Sequence, residues 1–284
     1  MGPTAPRQGH RTRTDEQLRA RETWHAADTR SPILSQMPEV AALEDVCERS
    51  WPPQERLELD GIVLRFASGF TRRANSARVD GADGDLEALI GEAEREYRSR
   101  GLRPGFRLTP LSPAAFEPLL LERGYFVDTE AVVMTCDALT AVAALEPDDA
   151  VELVPDLDEE WLRAFQAIER RWPPEQDPGA RWVLGSGDSP RRFALARVDG
   201  EPAATGYARL EDEWLYIACV GTFPERRRLG LARAVSEQLF AWGADGGARR
   251  AILQAETKNV AAQALYEQLG FRPRYIYRDL VPVA

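Results

Sequence analysis

The sequence predicts a mixed α/β fold, built on a mixed, mostly antiparallel twisted sheet flanked by helices. Three observations carry this. Short runs of strand-like alternation are interspersed with amphipathic stretches of helical period. The dipeptide Asp199-Gly200 between two such runs marks a hairpin. Other strands are joined through a helix, which is a crossover connection. At 284 residues the chain can hold one large domain or two of ordinary size, and 44% hydrophobic with 29% charged residues are globular proportions.

Residues 1–33 are rich in Arg, Thr, Gln and Pro and have little to bury, so they read as a mobile arm with a short helix at 15–27. A helix over 39–49 follows, then strands at 56–66 and 71–79, a helix at 85–98, a strand at 106–109, a helix at 113–123 and a strand at 125–135. The patternless stretch 138–149 contains the linker. The second half reads as strand 151–154, helix 158–170, a Pro- and Gly-rich stretch, and strands 192–198, 202–210 and 214–220. A loop, a helix at 227–242, a strand at 251–255, a helix at 260–269 and a strand at 271–280 complete it.

The halves echo each other. Glu48-Arg49-Ser50-Trp51-Pro52-Pro53 matches Glu169-Arg170-Arg171-Trp172-Pro173-Pro174, and Leu119 to Tyr125 matches Leu265 to Phe271. A helix ending in Gly-aromatic is common, because glycine caps helix C-termini. Two echoes in the same order favour duplication, with domains at 34–140 and 150–284 joined by 141–149.

The segment Thr222 to Ala232 (Thr-Phe-Pro-Glu-Arg-Arg-Arg-Leu-Gly-Leu-Ala) stands at a strand-to-helix junction. First-turn N–H groups lack intrahelical partners and carry the positive end of the helix dipole, so the junction suits a phosphorylated ligand. Gly230 and Ala232 keep side chains out of its way. The first half has Asp80, Asp83 and Asp85 there, which would repel a diphosphate, so one cradle per chain is expected.

The C-terminal half resembles the GNAT superfamily of N-acetyltransferases over about residues 150–280. Two motifs carry the resemblance: Arg227-Arg228-Leu229-Gly230-Leu231-Ala232 preceded by Thr-x-Pro, and Asn259, Ala262, Leu265, Tyr266 with Gly270-Phe271. The whole chain is similar to a two-domain actinobacterial branch, with a degenerate first domain carrying Arg73-Ala74-Asn75-Ser76, in which some members are assigned as N-acetylglutamate synthases. The resemblance implies tandem GNAT-like domains and acetyl-CoA as co-substrate, its diphosphate on the backbone N–H groups of Arg228 to Arg233. It implies pantetheine against Val220, Gly221 and Thr222, contact with Asn259, and Tyr266 beside the thioester sulfur as general acid.

A thiol titrates near ~8.5 and tyrosine near ~10, so Tyr266 can protonate a leaving thiolate when the site tunes both; the other reading is a core aromatic. Backbone N–H groups near Val220 are the natural oxyanion donors. For Arg226, Arg227 and Arg228 the alternative is a solvated charge run, although cations at a helix N-terminus oppose the dipole unless an anion is present. Some relatives place a glutamate base at the position of Gln254, which cannot accept a proton; Glu213 (within Glu211-Asp212-Glu213), Glu256 or a water chain remain. Cys219, with no histidine outside the arm to activate it, reads as an inert thiol. Arg73 and Asn75 are either strand surface, an interdomain hydrogen bond, or a means of holding an acceptor carboxylate.

The net charge of -10 argues against nucleic-acid binding. Three dispersed cysteines and two histidines, both in the arm, argue against a disulfide framework or a metal site and for a cytoplasmic protein. No apolar run reaches the ~20 residues of a membrane span. The expectation is therefore acetyl transfer to a primary amine of a small molecule by a monomer or homodimer. An N-acetylglutamate synthase-type enzyme, a non-catalytic CoA sensor or scaffold, and a partner-binding module are the alternatives.

Overall fold

The computed structural model describes residues 33–82, 84–142, 150–169 and 172–283. The expected arm and linker fall almost wholly outside these. Glu39–Ala284 form one compact unit, and the fold below is that of this unit.

In chain order the helices are α1 (Ile33–Ser50), α2 (Leu86–Ser99), α3 (Phe116–Glu122), α4 (Leu139–Val142), α5 (Glu159–Glu169), α6 (Asp177–Gly185), α7 (Leu231–Asp245) and α8 (Val260–Gln268). The strands are β1 (Glu55–Leu59), β2 (Ile62–Phe66), β3 (Ala77–Val79), β4 (Phe106–Leu108), β5 (Tyr125–Cys136), β6 (Val151–Val154), β7 (Arg191–Val198), β8 (Glu201–Glu211), β9 (Trp214–Thr222), β10 (Arg250–Glu256) and β11 (Arg272–Pro282). They form one sheet of order β1-β2-β3-β4-β11-β5-β10-β9-β8-β7-β6. Among the described residues only β3/β4 and β9/β10 pair in parallel, bridged by α2 and α7 respectively. The last strands of the two halves interleave: β11 pairs with β4 and β5, and β5 with β11 and β10.

Local sequence explains the elements. Asp199 and Gly200 take φ of 56° and 84°, the left-handed pair a tight hairpin turn needs, and Val198 sits opposite Glu201. Residues Ala131 to Cys136 of β5 are all buried, as a central strand covered on both faces requires. The expected strand at 71–79 shortens to Ala77–Val79, because Asn75 Oδ1 accepts the N–H groups of Ala67 and Gly69 at 3.0 Å each and folds 67–76 into turns. The Pro- and Gly-rich stretch contains α6. Pro178 lies in its first turn, where proline is tolerated, and Gly179 is needed because a Cβ there would stand 1.9 Å from the Ala67 carbonyl oxygen.

Alternation sorts the sheet into two faces. On one, α2 and α3 cover Ile62, Leu64, Phe66 and Phe106, while α7 and α8 cover Leu215, Ile217, Leu253 and Ala255. On the other, α1, α5 and α6 bury Trp51, Phe70, Trp161, Phe193, Tyr216 and Tyr277 in a core drawn from both halves. Where α1 meets β2, β3 and β4 this second face is charged instead. Glu44 lies 3.3 Å from Arg107 and accepts from Tyr275 Oη at 2.6 Å, and Arg78 lies 2.9 Å from Glu48. Burial of this kind persists only because the charges are paired.

Asp279 is the costly member of that network. Burial raises its carboxyl to about 6, against the pull of Arg107, Arg65 and Arg72, and its Oδ1 has no hydrogen-bond partner. The folded state thus binds its proton more tightly than the unfolded chain, so the stabilising protonated form is lost as pH rises through about 6. Urea unfolding at pH 5 and pH 7 should show the wild type losing about 1 kcal/mol more than Asp279→Asn across that interval. Identical losses would contradict this assignment.

Candidate functional site

β9 and β10 pair in parallel only from Trp214/Arg250 to Ile217/Leu253. Beyond that point they part. β10 stays with β5 through Glu256, while β9 stays with β8 to Thr222. A bulge marks the place: β8 advances from Thr205 to Tyr207 while β9 advances from Gly221 back to Ala218. Cys219 takes φ of 55°, and Thr205 Oγ1 donates to its carbonyl at 3.0 Å. Among the described residues no strand pairs with β9 on its β10 side at Val220, Gly221 and Thr222, which leaves a V-shaped gap in the sheet.

The loop at the mouth of this gap differs from the expected early helix start. A 3₁₀ turn (Pro224–Arg226) precedes α7, which begins at Leu231, four residues later than the sequence pattern predicts. The cause is backbone: Arg228 takes φ of 69° and Gly230, the N-cap, 80°, and neither continues a helix. The N–H groups of Arg228, Leu229, Gly230, Leu231 and Ala232 make no hydrogen bond to protein among the described residues. The expected cradle ends one residue earlier than the sequence reading has it, because Arg233 N–H donates to the Gly230 carbonyl at 3.0 Å. The Arg233 side chain is held by Glu237 and Gln268, and Arg226 by Asp199. A Cβ on Gly230 would meet nothing within 4 Å, so the space above the loop is open. Such an array of unpaired donors at the positive end of a 15-residue helix can hold a diphosphate.

Among the described residues, the first half lacks all of this. Asp85 Oδ1 caps the start of α2 by accepting Ala88 N–H at 3.1 Å, and the N–H groups of Asp80 and Gly81 donate to Gly61 and Leu111. β3 and β4 remain paired from Ala77/Phe106 to Val79/Leu108.

Tyr266 lies on the α7/α8 face, 6% exposed, with its ring edge-on to Phe271 at 5.4 Å. Burial pushes its hydroxyl up to about 12, and a hydrogen bond with the Ser236 side chain works the other way. Ser236 in turn donates to the Ala232 carbonyl at 2.8 Å, which ties Tyr266 to the first turns of α7. Ser236 has no signature in the sequence beyond lying one helical turn after Ala232. A tyrosine so shifted keeps its proton at neutral pH, as a proton donor must.

The three other predicted side chains fall differently. Asn259 is exposed and serves as N-cap of α8, its Oδ1 accepting Ala262 N–H at 3.2 Å, which leaves its amide nitrogen for a ligand. Glu256 ends β10 on the gap side, on the face opposite α7, and Lys258 lies 2.9 Å from it. Glu213 is a correction. It lies before the start of β9, 3.6 Å from Arg250, and seven residues of extended chain, ~23 Å, separate it from Val220. It borders instead a separate cavity of about 740 Å³ with Leu43, Val46, Asp212, Trp214 and Arg250. No base can act on a reaction at the gap from there. Among the described residues no cluster of His, Cys, Asp or Glu is placed to hold a metal, and no helix is long and apolar enough to cross a membrane.

The family model described as "Probable histone acetyltransferase Rv0428c C-terminal" matches residues 38–280. The Mycobacterium tuberculosis "Probable histone acetyltransferase Rv0428c" is 31% identical over 250 residues, covering 85% of this chain and 73% of that protein. The "Uncharacterized N-acetyltransferase YobR" of Bacillus subtilis is 26% identical over 243 residues, covering 84% and 96%. Among solved structures, a GCN5-related N-acetyltransferase from Kribbella flavida superposes with a TM-score of 0.62 at 18% identity, over 87% of this chain and 95% of that one. A tandem GNAT protein from the clavulanic acid biosynthesis pathway gives 0.53 at 13% identity, over 84% and 86%.

The loop yields a direct test. Gly230→Asp should weaken CoA binding by about 100-fold or more in calorimetric titration, since a carboxylate about 4 Å from a phosphate costs about 4 kcal/mol in a partly screened site. Gly230→Asn, which tolerates the same left-handed backbone without charge, should bind far better than Gly230→Asp. Equal binding by both would remove the diphosphate from this loop.

Proposed function

The chain belongs to the Rv0428c C-terminal acetyltransferase family, a GNAT-type family of N-acetyltransferases, and from that premise we propose that it moves acetyl from acetyl-CoA directly to a primary amine of a small molecule. The observation that carries the reading is the run of unpaired N–H groups from Arg228 to Ala232 beside the parted strands β9 and β10. Acetyl-CoA would place its diphosphate on that run and its pantetheine along Val220 to Thr222, bringing the thioester to the bulge. Tyr266 lies on the α7/α8 face and Glu256 on the other, so donor and acceptor would approach the gap from opposite sides of the sheet.

Each step then has a group. The neutral amine attacks the thioester carbonyl, and N–H groups at the bulge hold the developing oxyanion in a site poor in water. The C–S bond breaks as the tetrahedral intermediate collapses, and Tyr266 gives its proton to the departing thiolate. The amine's own proton leaves to Glu256 or through water. We read the two halves as a duplication in which the second alone kept the cradle, as the capped start of α2 supports.

The family's description favours a second acceptor, a lysine side chain of a basic protein, and the net charge of -10 suits a cationic partner. Steady-state thiol release with a panel of small amines and a histone-tail peptide separates the two by which acceptor supports turnover. Tyr266→Phe should lower kcat by about 100-fold on the active acceptor while leaving CoA affinity unchanged. Unchanged kcat would remove Tyr266 from the chemistry, and ligand binding with no turnover on any amine would leave a CoA sensor.

A further inference from the structure

On the face turned away from α7 the chain buries several arginines, and nearly all are neutralised. Arg65 lies 3.8 Å from Glu48, Arg78 2.9 Å from the same residue, Arg107 3.3 Å from Glu44 and Arg209 3.1 Å from Glu211. Arg73 is different. Its Nη1 donates to Tyr216 Oη at 2.8 Å and its guanidinium lies 4.9 Å over the Trp51 ring, yet no carboxylate stands within 4.0 Å of it among the described residues.

Its setting is the gap. Tyr216 lies on β9 beside the last paired residues, and Tyr277 and the bulge residue Cys219 are both within electrostatic reach of the guanidinium. Side chains that could have neutralised it do not. Position 254, on the same face of β10, carries an amide whose Oε1 accepts from Tyr277 Oη at 3.3 Å, and Glu256 pairs with Lys258. Arg73 is only partly buried, and Leu111, Trp172, Cys219 and Phe223, packed against the same core, are likewise partly exposed. Asn75 is no part of it, because its Oδ1 is committed to Ala67 and Gly69; with Trp51 Nε1–H donating to Thr71 Oγ1 at 2.9 Å it fixes the turn that presents Arg73.

A guanidinium stays charged at every working pH, and a partly desolvated one without a counter-ion is costly unless a ligand supplies it. We propose that Arg73 binds a carboxylate of the acceptor, so that the amine acetylated here belongs to an amino acid or a similar amine bearing a carboxylate. This rests on the acetyl-transfer reading above. The carboxylate on Arg73 would hold the molecule on the open side of β9, with its amine toward the bulge.

The test uses the full chain with acetyl-CoA and pairs of acceptors, free amino acids and the carboxamides of the same amino acids. The wild type should favour the acids by about ten-fold or more in kcat/KM. Arg73→Met should raise KM for the acids by a similar factor while leaving KM for the carboxamides and the affinity for CoA unchanged. Arg73→Lys, which keeps the charge but not the fork, should recover part of the loss. Equal use of acids and carboxamides by the wild type, which needs no variant to fold, overturns the proposal, as does an equal rise of both KM values in Arg73→Met. Transfer to neither series while CoA still binds would overturn the acetyl-transfer reading itself, and this inference with it.

Discussion

The site depends on β9 being unable to follow β10. The strands share four parallel pairs, and then an extra residue at Cys219, fixed by Thr205 Oγ1, turns β9 toward β8 while β10 remains bound to β5. The candidate site is arranged around that divergence. α7 is seated over it because Gly206 has no side chain: a Cβ there would stand 2.4 Å from Val235 and 3.0 Å from Leu239. The same seating brings Ser236 to Tyr266.

The first half shows what happens without the divergence. β3 and β4 are three residues each and stay paired throughout, the head of α2 is capped by Asp85, and the second face of the sheet is filled by Arg65, Arg78 and Arg107 with the acids of α1. Its contribution is indirect. It supplies β5, which holds β10 away from β9, and the 67–76 turns, which carry Arg73 to the far side of the gap. The interleaving of β5 and β11 ties these contributions into one sheet.

Much of this was legible in the sequence, where local chemistry is strong. The Asp199-Gly200 hairpin, the glycine-centred loop before α7 and the acidic loop before α2 are each decided by one or two residues. What was not legible depends on partners far away in the chain. Thr71 to Ser76 read as the start of the strand that ends at Val79, yet Asn75 turns them by binding backbone at 67 and 69. Helix α6 hides behind Pro178 and Gly179, which make sense only against the Ala67 carbonyl. Glu213 looked near the site because it precedes β9, but the loop lies at that strand's other end. Ser236 and the Cys219 bulge have no local signal at all.

On this reading the chain has one cradle, at the head of α7. Hydrogen exchange of the intact protein with and without saturating CoA tests it most directly, since the amides of 228–232 have no partner among the described residues and a ligand would supply one. Protection should rise in the segments holding 220–222 and 228–232 and stay unchanged over 77–89. Protection centred on the first half, or no change at the α7 loop at a CoA concentration that saturates the protein, would contradict it.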